Sequence, residues 1–439
     1  MEQVRTHKTH AVMPPARFRS EAHAWFVWSF TGLFYMYQFF LRTSPCVMTE
    51  HLMCDFSVGA CALGVLTSFY LISYTSLQIP VGLGMDKFGP SIFLRGAVSL
   101  CVIGTTIFSL ADSFYFACFG RLLIGVGATC SFLGSLKLAT LWFRPERIAL
   151  VVGFTLLAGK AGASFGQAPL ALLIEWMGWR KALLYVVVPI GLTLATAIFV
   201  FVKDAPTEEY LTQIAPTNTT LKSLFTHLKS IFIDSRMWAL GLYGALMYAP
   251  LLVFVDLWGI PFLMKLYDID KATAGSITTM FYIGAGIGCP LVAFLSDYFQ
   301  DRKKAMVVGV ILSIICNGVF IYVPGIPILA MYFLLFAAGV VFSVQPLIFP
   351  SVCQLTPLSS NGTAISFTNM IVMMLGIVLQ PLVGWFLELV WTGTMYNGVP
   401  HYDISDYRFA LLSIPLSLFL ALLLMPFIPE TFPRTGVKI

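Results

Sequence analysis

Charge is what this 439-residue chain has least of: Asp, Glu, Lys and Arg make up 11% of it, against about 25% in a soluble domain. That scarcity, with 58% hydrophobic residues, excludes a soluble globule and points to lipid as the main solvent. Histidine is sparse too, and all six (at 7, 10, 23, 51, 227 and 401) fall in tails or loops outside the apolar runs. The nine cysteines are scattered, without metal-binding spacing or a disulfide framework; they read as small packing residues, and no metal site is expected. No phosphate-cradling loop is present, which excludes ATP as an energy source, and no cofactor is called for. A filter-like segment is also lacking, which argues against a channel.

What is there is a succession of apolar runs long enough to span a bilayer as helices. Twelve are expected, near 24–48, 60–82, 91–111, 114–141, 148–173 and 181–202, then 237–262, 272–296, 305–323, 327–352, 362–390 and 407–428. The fold class expected is all-α: an N-terminal tail 1–23, a six-helix bundle 24–202, a polar linker 203–236, a second bundle 237–428 and a C-terminal tail 429–439. The first run is too long for a signal-peptide core, so it is expected to remain in the mature protein. Taking both termini as cytoplasmic puts seventeen Lys and Arg on inner segments and five on outer ones, which sets the orientation. The net charge of +5 is thereby a topology signal and implies no nucleic-acid partner. Asn218 and Asn361 match a glycosylation pattern, but both loops fall on the cytoplasmic side, and the match reads as chance.

The chain also repeats itself. Val81-Gly-Leu-Gly-Met-Asp86-Lys87-Phe-Gly89 is echoed by Val292-Ala-Phe-Leu-Ser-Asp297-Tyr-Phe-Gln300, and Gly64 by Gly275, at an offset of 211. Gln167, Pro169 and Glu175 recur as Gln380, Pro381 and Glu388 at nearly the same offset. Two related half-bundles facing each other are a way to move a solute across a membrane.

Four basic side chains fall well inside the expected spans, Arg42, Arg121, Lys137 and Lys160, against one acid, Asp256. A charge at lipid depth costs several kcal/mol, so each should face a wet cavity or a partner, and the imbalance makes that cavity positive. Shifted by the repeat, Arg42 falls within one helical turn of Asp256, so the two are near-equivalents in the halves. A guanidinium fork with an ammonium suits a substrate carboxylate, and Asp256 suits a substrate amino group or a coupling proton. The alternative is a structural salt bridge between halves. Lys160 reads equally as a lining residue or a snorkelling one. Tyr35 and Trp258 stand among aromatics that either pack helices or wall a pocket; Gln345 and Asn369 are further polar candidates.

The loop from Gly82 to Gly89, with Arg95 beyond it, resembles the signature of the major facilitator superfamily, and Asp297, Arg302 and Lys303 echo it in the second half. Gly120-Arg121-Leu-Leu-Ile-Gly125-Val-Gly127 is similar to that superfamily's second common motif. The resemblance implies a gating latch at Asp86, Lys87, Arg95, Asp297 and Arg302, a role for Arg121 in proton coupling or gating, and a central path lined by helices 1, 4, 7 and 10. That path would bring Arg42, Lys137 and Asp256 together. Leu136-Lys137 through Pro145, Gly166-Gln167-Ala-Pro169, Gly178-Trp179-Arg180, Leu257-Trp258-Gly259-Ile-Pro261, Asn361-Gly362 and Gln380-Pro381 resemble a bacterial branch, the phagosomal transporter group of intracellular pathogens. That branch imports amino acids and nucleosides, and siderophore carriers are near relatives.

The sequence is thus expected to encode a monomeric, proton-coupled carrier in a bacterial inner membrane that moves an amino acid or another small carboxylate by alternating access. Its partners would be that anionic solute, protons and lipid. A polycarboxylate siderophore as cargo, and a solute sensor that has lost transport, are the alternatives. Gly162-Ala-Ser164-Phe-Gly166 matches a hydrolase elbow, but with no histidine in the apolar spans no enzyme is expected.

Overall fold

A computed structural model of the protein describes residues 21–204, 228–357, 361–396 and 399–432. The expected tails up to residue 20 and from 433, and linker positions 205–227, lie outside the described residues. The fold is an all-α bundle of twelve spanning helices in two halves. The first half holds α1 (Glu21–Thr43), α2 (Ala60–Phe88), α3 (Pro90–Leu110), α4 (Phe114–Trp142), α5 in two pieces (Pro145–Phe165 and Ala168–Met177) and α6 (Trp179–Phe201). The second holds α7 (Ser235–Tyr267), α8 (Lys271–Phe299), α9 (Arg302–Tyr322), α10 (Ile328–Leu355), α11 (Asn361–Val390) and α12 (Ile404–Phe427). Ten of these are long and apolar enough to cross a membrane by length and composition. Among the described residues the strands are a two-residue ladder, Met395–Tyr396 with Val399–Pro400, in the loop before α12.

Where helices depart from the expected runs, proline and glycine are the cause. The first run was expected to reach residue 48, but α1 ends at Thr43 and passes into a 3-10 turn around Pro45. The fifth breaks at Gly166–Gln167, where Pro169 removes a backbone donor from the second piece. In α7 the segment Pro250–Trp258, opening on a proline, winds as a π-helix, a geometry that often marks functional positions.

The ends of the bundle are identified by side-chain contacts. At the termini end, where the first and last described residues lie, the Trp142 indole N–H donates to the Lys203 carbonyl at 3.0 Å, and Thr431 donates to Ser351 at 3.0 Å. At the far end the halves meet along two seams, α2 with α11 and α5 with α8. Both repeated glycines sit there. A Cβ on Gly64 would collide with the Gln380 and Pro381 backbone, and one on Gly275 would come within 2.8 Å of the Ala168 nitrogen. Glycine at these points lets the helix backbones touch. Further out, Glu388 of α11 accepts from the Cys61 backbone N–H of α2 at 2.9 Å, and Lys271 of α8 pairs with Glu50 at 2.6 Å.

Candidate functional site

The site begins with a proline. Pro45 has no N–H to offer the Leu41 carbonyl four residues earlier, so at the end of α1 that acceptor lacks its helical donor and takes the Ser44 hydroxyl at 3.0 Å. Arg121 of α4 is a second donor there: its Nη1 donates to the Leu41 carbonyl at 2.7 Å, and its Nη2 to that of Arg42 at 3.4 Å. The Tyr70 ring lies 5.2 Å from the guanidinium, while the Arg121 Nε is sealed without a partner.

Arg42 is buried, 8% exposed, and reaches across to the other half. Its Nη2 and Nε donate to Asp256 Oδ2 at 2.7 and 3.1 Å, and its Nη1 donates to the Tyr248 hydroxyl at 3.3 Å. Phe39 and Tyr248 rings flank the guanidinium at 5.4 and 5.5 Å. Asp256 is 4% exposed and lies in the π-helical stretch of α7; its second oxygen accepts from the Tyr282 hydroxyl of α8 at 2.5 Å. The carboxylate therefore receives three hydrogen bonds from two elements, which offsets the desolvation that a buried pair incurs.

The irregular winding of α7 exposes carbonyls to two glutamines. Gln167 donates to Val255 and Gln380 to Leu252, each at 3.1 Å, and Thr278 donates to Gln167. These are the repeated glutamines of the sequence, one from each half, converging on one helix. The space left among Arg42, Tyr70, Arg121, Asp256 and Gln380 is about 10 Å³, the margin for a single water. At this depth the bundle is shut.

Toward the termini end from this cluster the walls are aromatic. Tyr35 packs against Phe39 and Phe132, with centroids 4.9 and 5.5 Å apart, and Tyr248 packs against Phe342 at 5.4 Å. Lys160 of α5 joins them, its ammonium 5.8 Å from the Tyr282 centroid and 5.5 Å from that of Phe342.

Several expected placements differ. Lys137 does not meet Arg42: it lies 16 residues, about 24 Å of helix, from Arg121 along α4. At its level Ser135 donates to the Thr31 carbonyl at 3.2 Å, eleven residues short of Arg42, because α4 runs antiparallel to α1. Trp258 is fully buried with its indole N–H sealed and unpartnered, so it is part of the core and not a pocket wall. Gln345 is buried and donates to the Gly244 carbonyl at 3.5 Å, inside the second half. Asn369 lies beside Tyr74, where α2 meets α11.

In the latch loops the side chains of Asp86 and Asp297 lie outside the described residues. Lys87 is exposed over the Phe88 ring, Arg95 donates to the Val202 carbonyl at 2.8 Å, and Arg302 donates to Gln354 at 2.6 Å. Two carboxylates that the sequence reading missed cap the helices following these loops. Asp204 accepts from the Ser91 N–H at 2.6 Å, and Glu430 from the Arg302 and Lys303 N–H groups at 3.2 and 2.8 Å. Their signal in the sequence is position: each is the first acid after the last helix of its half. Tyr282 was also missed, although it stands 212 residues from Tyr70, within the offsets of the repeat.

A family model described as Major Facilitator Superfamily matches residues 27–379 and again 254–438. An uncharacterized transporter of Bacillus subtilis, YybO, is 24% identical over 306 residues, which cover 66% of this chain and 69% of that protein. The hexuronate transporter of the same organism is 22% identical over 272 residues, 62% of this chain and 64% of its own length, just under two thirds. Among solved structures, a bacterial homolog of the human lysosomal transporter Spinster, in an inward-facing and occupied conformation, is similar with a TM-score of 0.72 at 17% identity. The similarity covers 92% of this chain and 94% of that one.

Proposed function

This chain belongs to the Major Facilitator Superfamily as a multi-pass secondary transporter and not an enzyme, and from that premise we propose that it imports a small carboxylate-bearing nutrient with protons. Its membrane would be a bacterial inner membrane, with both termini in the cytoplasm, as the distribution of Lys and Arg supports. The observation that carries the reading is the buried Arg42–Asp256 pair, 2.7 Å apart, which ties the two halves together beneath a sealed far end. Arg121 and Lys160 stand near it, so the region holds three cations and one carboxylate, an excess suited to an anionic solute.

In this mechanism a solute carboxylate and a proton act on the same pair. The carboxylate competes with Asp256 for the Arg42 fork, and a proton on Asp256 removes the charge that holds Arg42 to α7. With both in place the halves lose their far-end tie and can rock to the other state. The relative that transports hexuronate supports a carboxylate cargo; resemblance to the phagosomal group favours an amino acid.

The test is uptake into proteoliposomes carrying the purified protein. Arg42→Ala should insert normally yet lower uptake by about tenfold or more, the effect of losing roughly 1.4 kcal/mol at the pair. A protonophore should abolish accumulation. Normal uptake by Arg42→Ala removes the assigned role, and uptake indifferent to a protonophore removes the coupling.

A further inference from the structure

Of the three cations near the central pair, Arg42 and Arg121 have acceptors. Arg42 has Asp256 and Tyr248, and Arg121 has two helix carbonyls. Lys160 differs. Among the described residues its ammonium has no hydrogen-bond acceptor and no carboxylate within ion-pair reach; its neighbours are the rings of Tyr282 and Phe342. It is half-buried, and its nitrogen is not among the sealed polar atoms that lack a partner. The side chain therefore sits between the halves with no direct ion pair among the described residues, and the charges that act on it from a distance are Asp256 and Arg42, of opposite sign.

Its neighbours connect it to the central pair by two routes. Tyr282 presents its ring to Lys160 and its hydroxyl to Asp256. Phe342 packs at a tilt against Tyr248, which in turn accepts from Arg42. An anion held by Lys160 would thus sit against the two aromatics that support the ion pair, on the side away from the sealed far end.

We infer that Lys160 is the primary anchor for the solute's carboxylate, set before the Arg42–Asp256 pair and framed by Tyr282 and Phe342. This rests on the proposed reading of the protein as an anion carrier. The physical reason is selectivity between cations. An arriving carboxylate must break an existing ion pair to reach Arg42 and displace backbone carbonyls to reach Arg121, whereas at Lys160 it meets an ammonium that has only ring faces to leave. Lys160 would hold the solute first, and the Arg42 fork would receive it as the halves move. The ring faces favour a solute with an apolar or CH-rich side beside its carboxylate.

The experiment measures thermal melting of the full-length protein in detergent against paired probes that differ in carboxylate charge. The pairs are D-glucuronate and D-glucose, L-alanine and L-alaninamide, and citrate and its trimethyl ester. We expect at least one carboxylate to raise the wild-type melting temperature while its uncharged or amidated counterpart does not. Lys160→Gln and Lys160→Met should bind that carboxylate about ten- to hundredfold more weakly, the range for losing a charge-assisted hydrogen bond, and Lys160→Arg should stay within a few-fold. Without ligand, Lys160→Met should melt no lower than wild type, because it removes an uncompensated charge. Undiminished binding by Lys160→Gln and Lys160→Met overturns the role of Lys160 and leaves the anion carrier standing. Unfolding of both variants without ligand makes the lysine structural and also overturns it. If no carboxylate shifts the wild type, or the counterparts shift it equally, the anion reading falls and Lys160 with it.

Discussion

Asp256 is the residue on which the described charges converge. It accepts from Arg42 twice and from Tyr282 once, so removing its charge strands a buried guanidinium. Breaking a buried pair from one side costs about 3–5 kcal/mol, whereas replacing both partners is often close to neutral. Asp256→Asn should therefore lower the melting temperature markedly, and the double change Arg42→Gln with Asp256→Asn should recover most of the loss without recovering transport. Melting curves in detergent beside proteoliposome uptake check both halves of this expectation; an Asp256→Asn protein as stable as wild type would deny the pair its structural weight. The pairing itself was legible, because the repeat offset carried Arg42 to within a turn of Asp256. Tyr282 was not, since a tyrosine in an apolar run has no signature until its hydroxyl is seen to meet the carboxylate.

At the scale of elements, glycine and proline positions govern how the helices meet. Gly64 and Gly275 allow α2 and α8 to lie backbone to backbone against the other half at the far end. Gly64→Val should wedge α2 from α11 there. Overpacking of this kind costs about 1–3 kcal/mol, paid in the closed state alone, and so shifts the balance toward far-end opening by about five- to 150-fold. Faster maleimide labelling of a cysteine placed at Ala60, on the seam beside Gly384, would register that shift; an unchanged rate would mean the seam is not what closes the bundle. The apolar runs announced the helices, but not the π-helical winding of α7 or the break in α5. The α7 winding is matched to Gln167 and Gln380, which claim its Val255 and Leu252 carbonyls, and the break in α5 to the Gly166–Pro169 stretch that presents Gln167 to it.

At the scale of the whole molecule, the named contacts between halves gather at the far end and the centre: Lys271 with Glu50, Glu388 with Cys61, Gln167 with Val255, Arg42 with Asp256. Such a molecule is closed at the end opposite its termini. If the termini are cytoplasmic, a cysteine at exposed Lys87 should react with an impermeant reagent applied from the cytoplasmic face, and one at exposed Lys181 from the outer face; the reverse pattern would invert the topology. By itself the sequence determined the membrane setting, the helix runs, the duplication and the excess of buried positive charge, because hydropathy and repeat offsets are local or periodic and survive in one dimension. Only the tertiary structure decided which cations meet the carboxylate. Helix direction put Arg121 beside Arg42 and Lys137 far along the same helix, and packing of α5 against α8 left Lys160 among rings, without an acceptor among the described residues. A side chain's partners are fixed by which helices face one another and at what depth, and no spacing along a single chain contains that information.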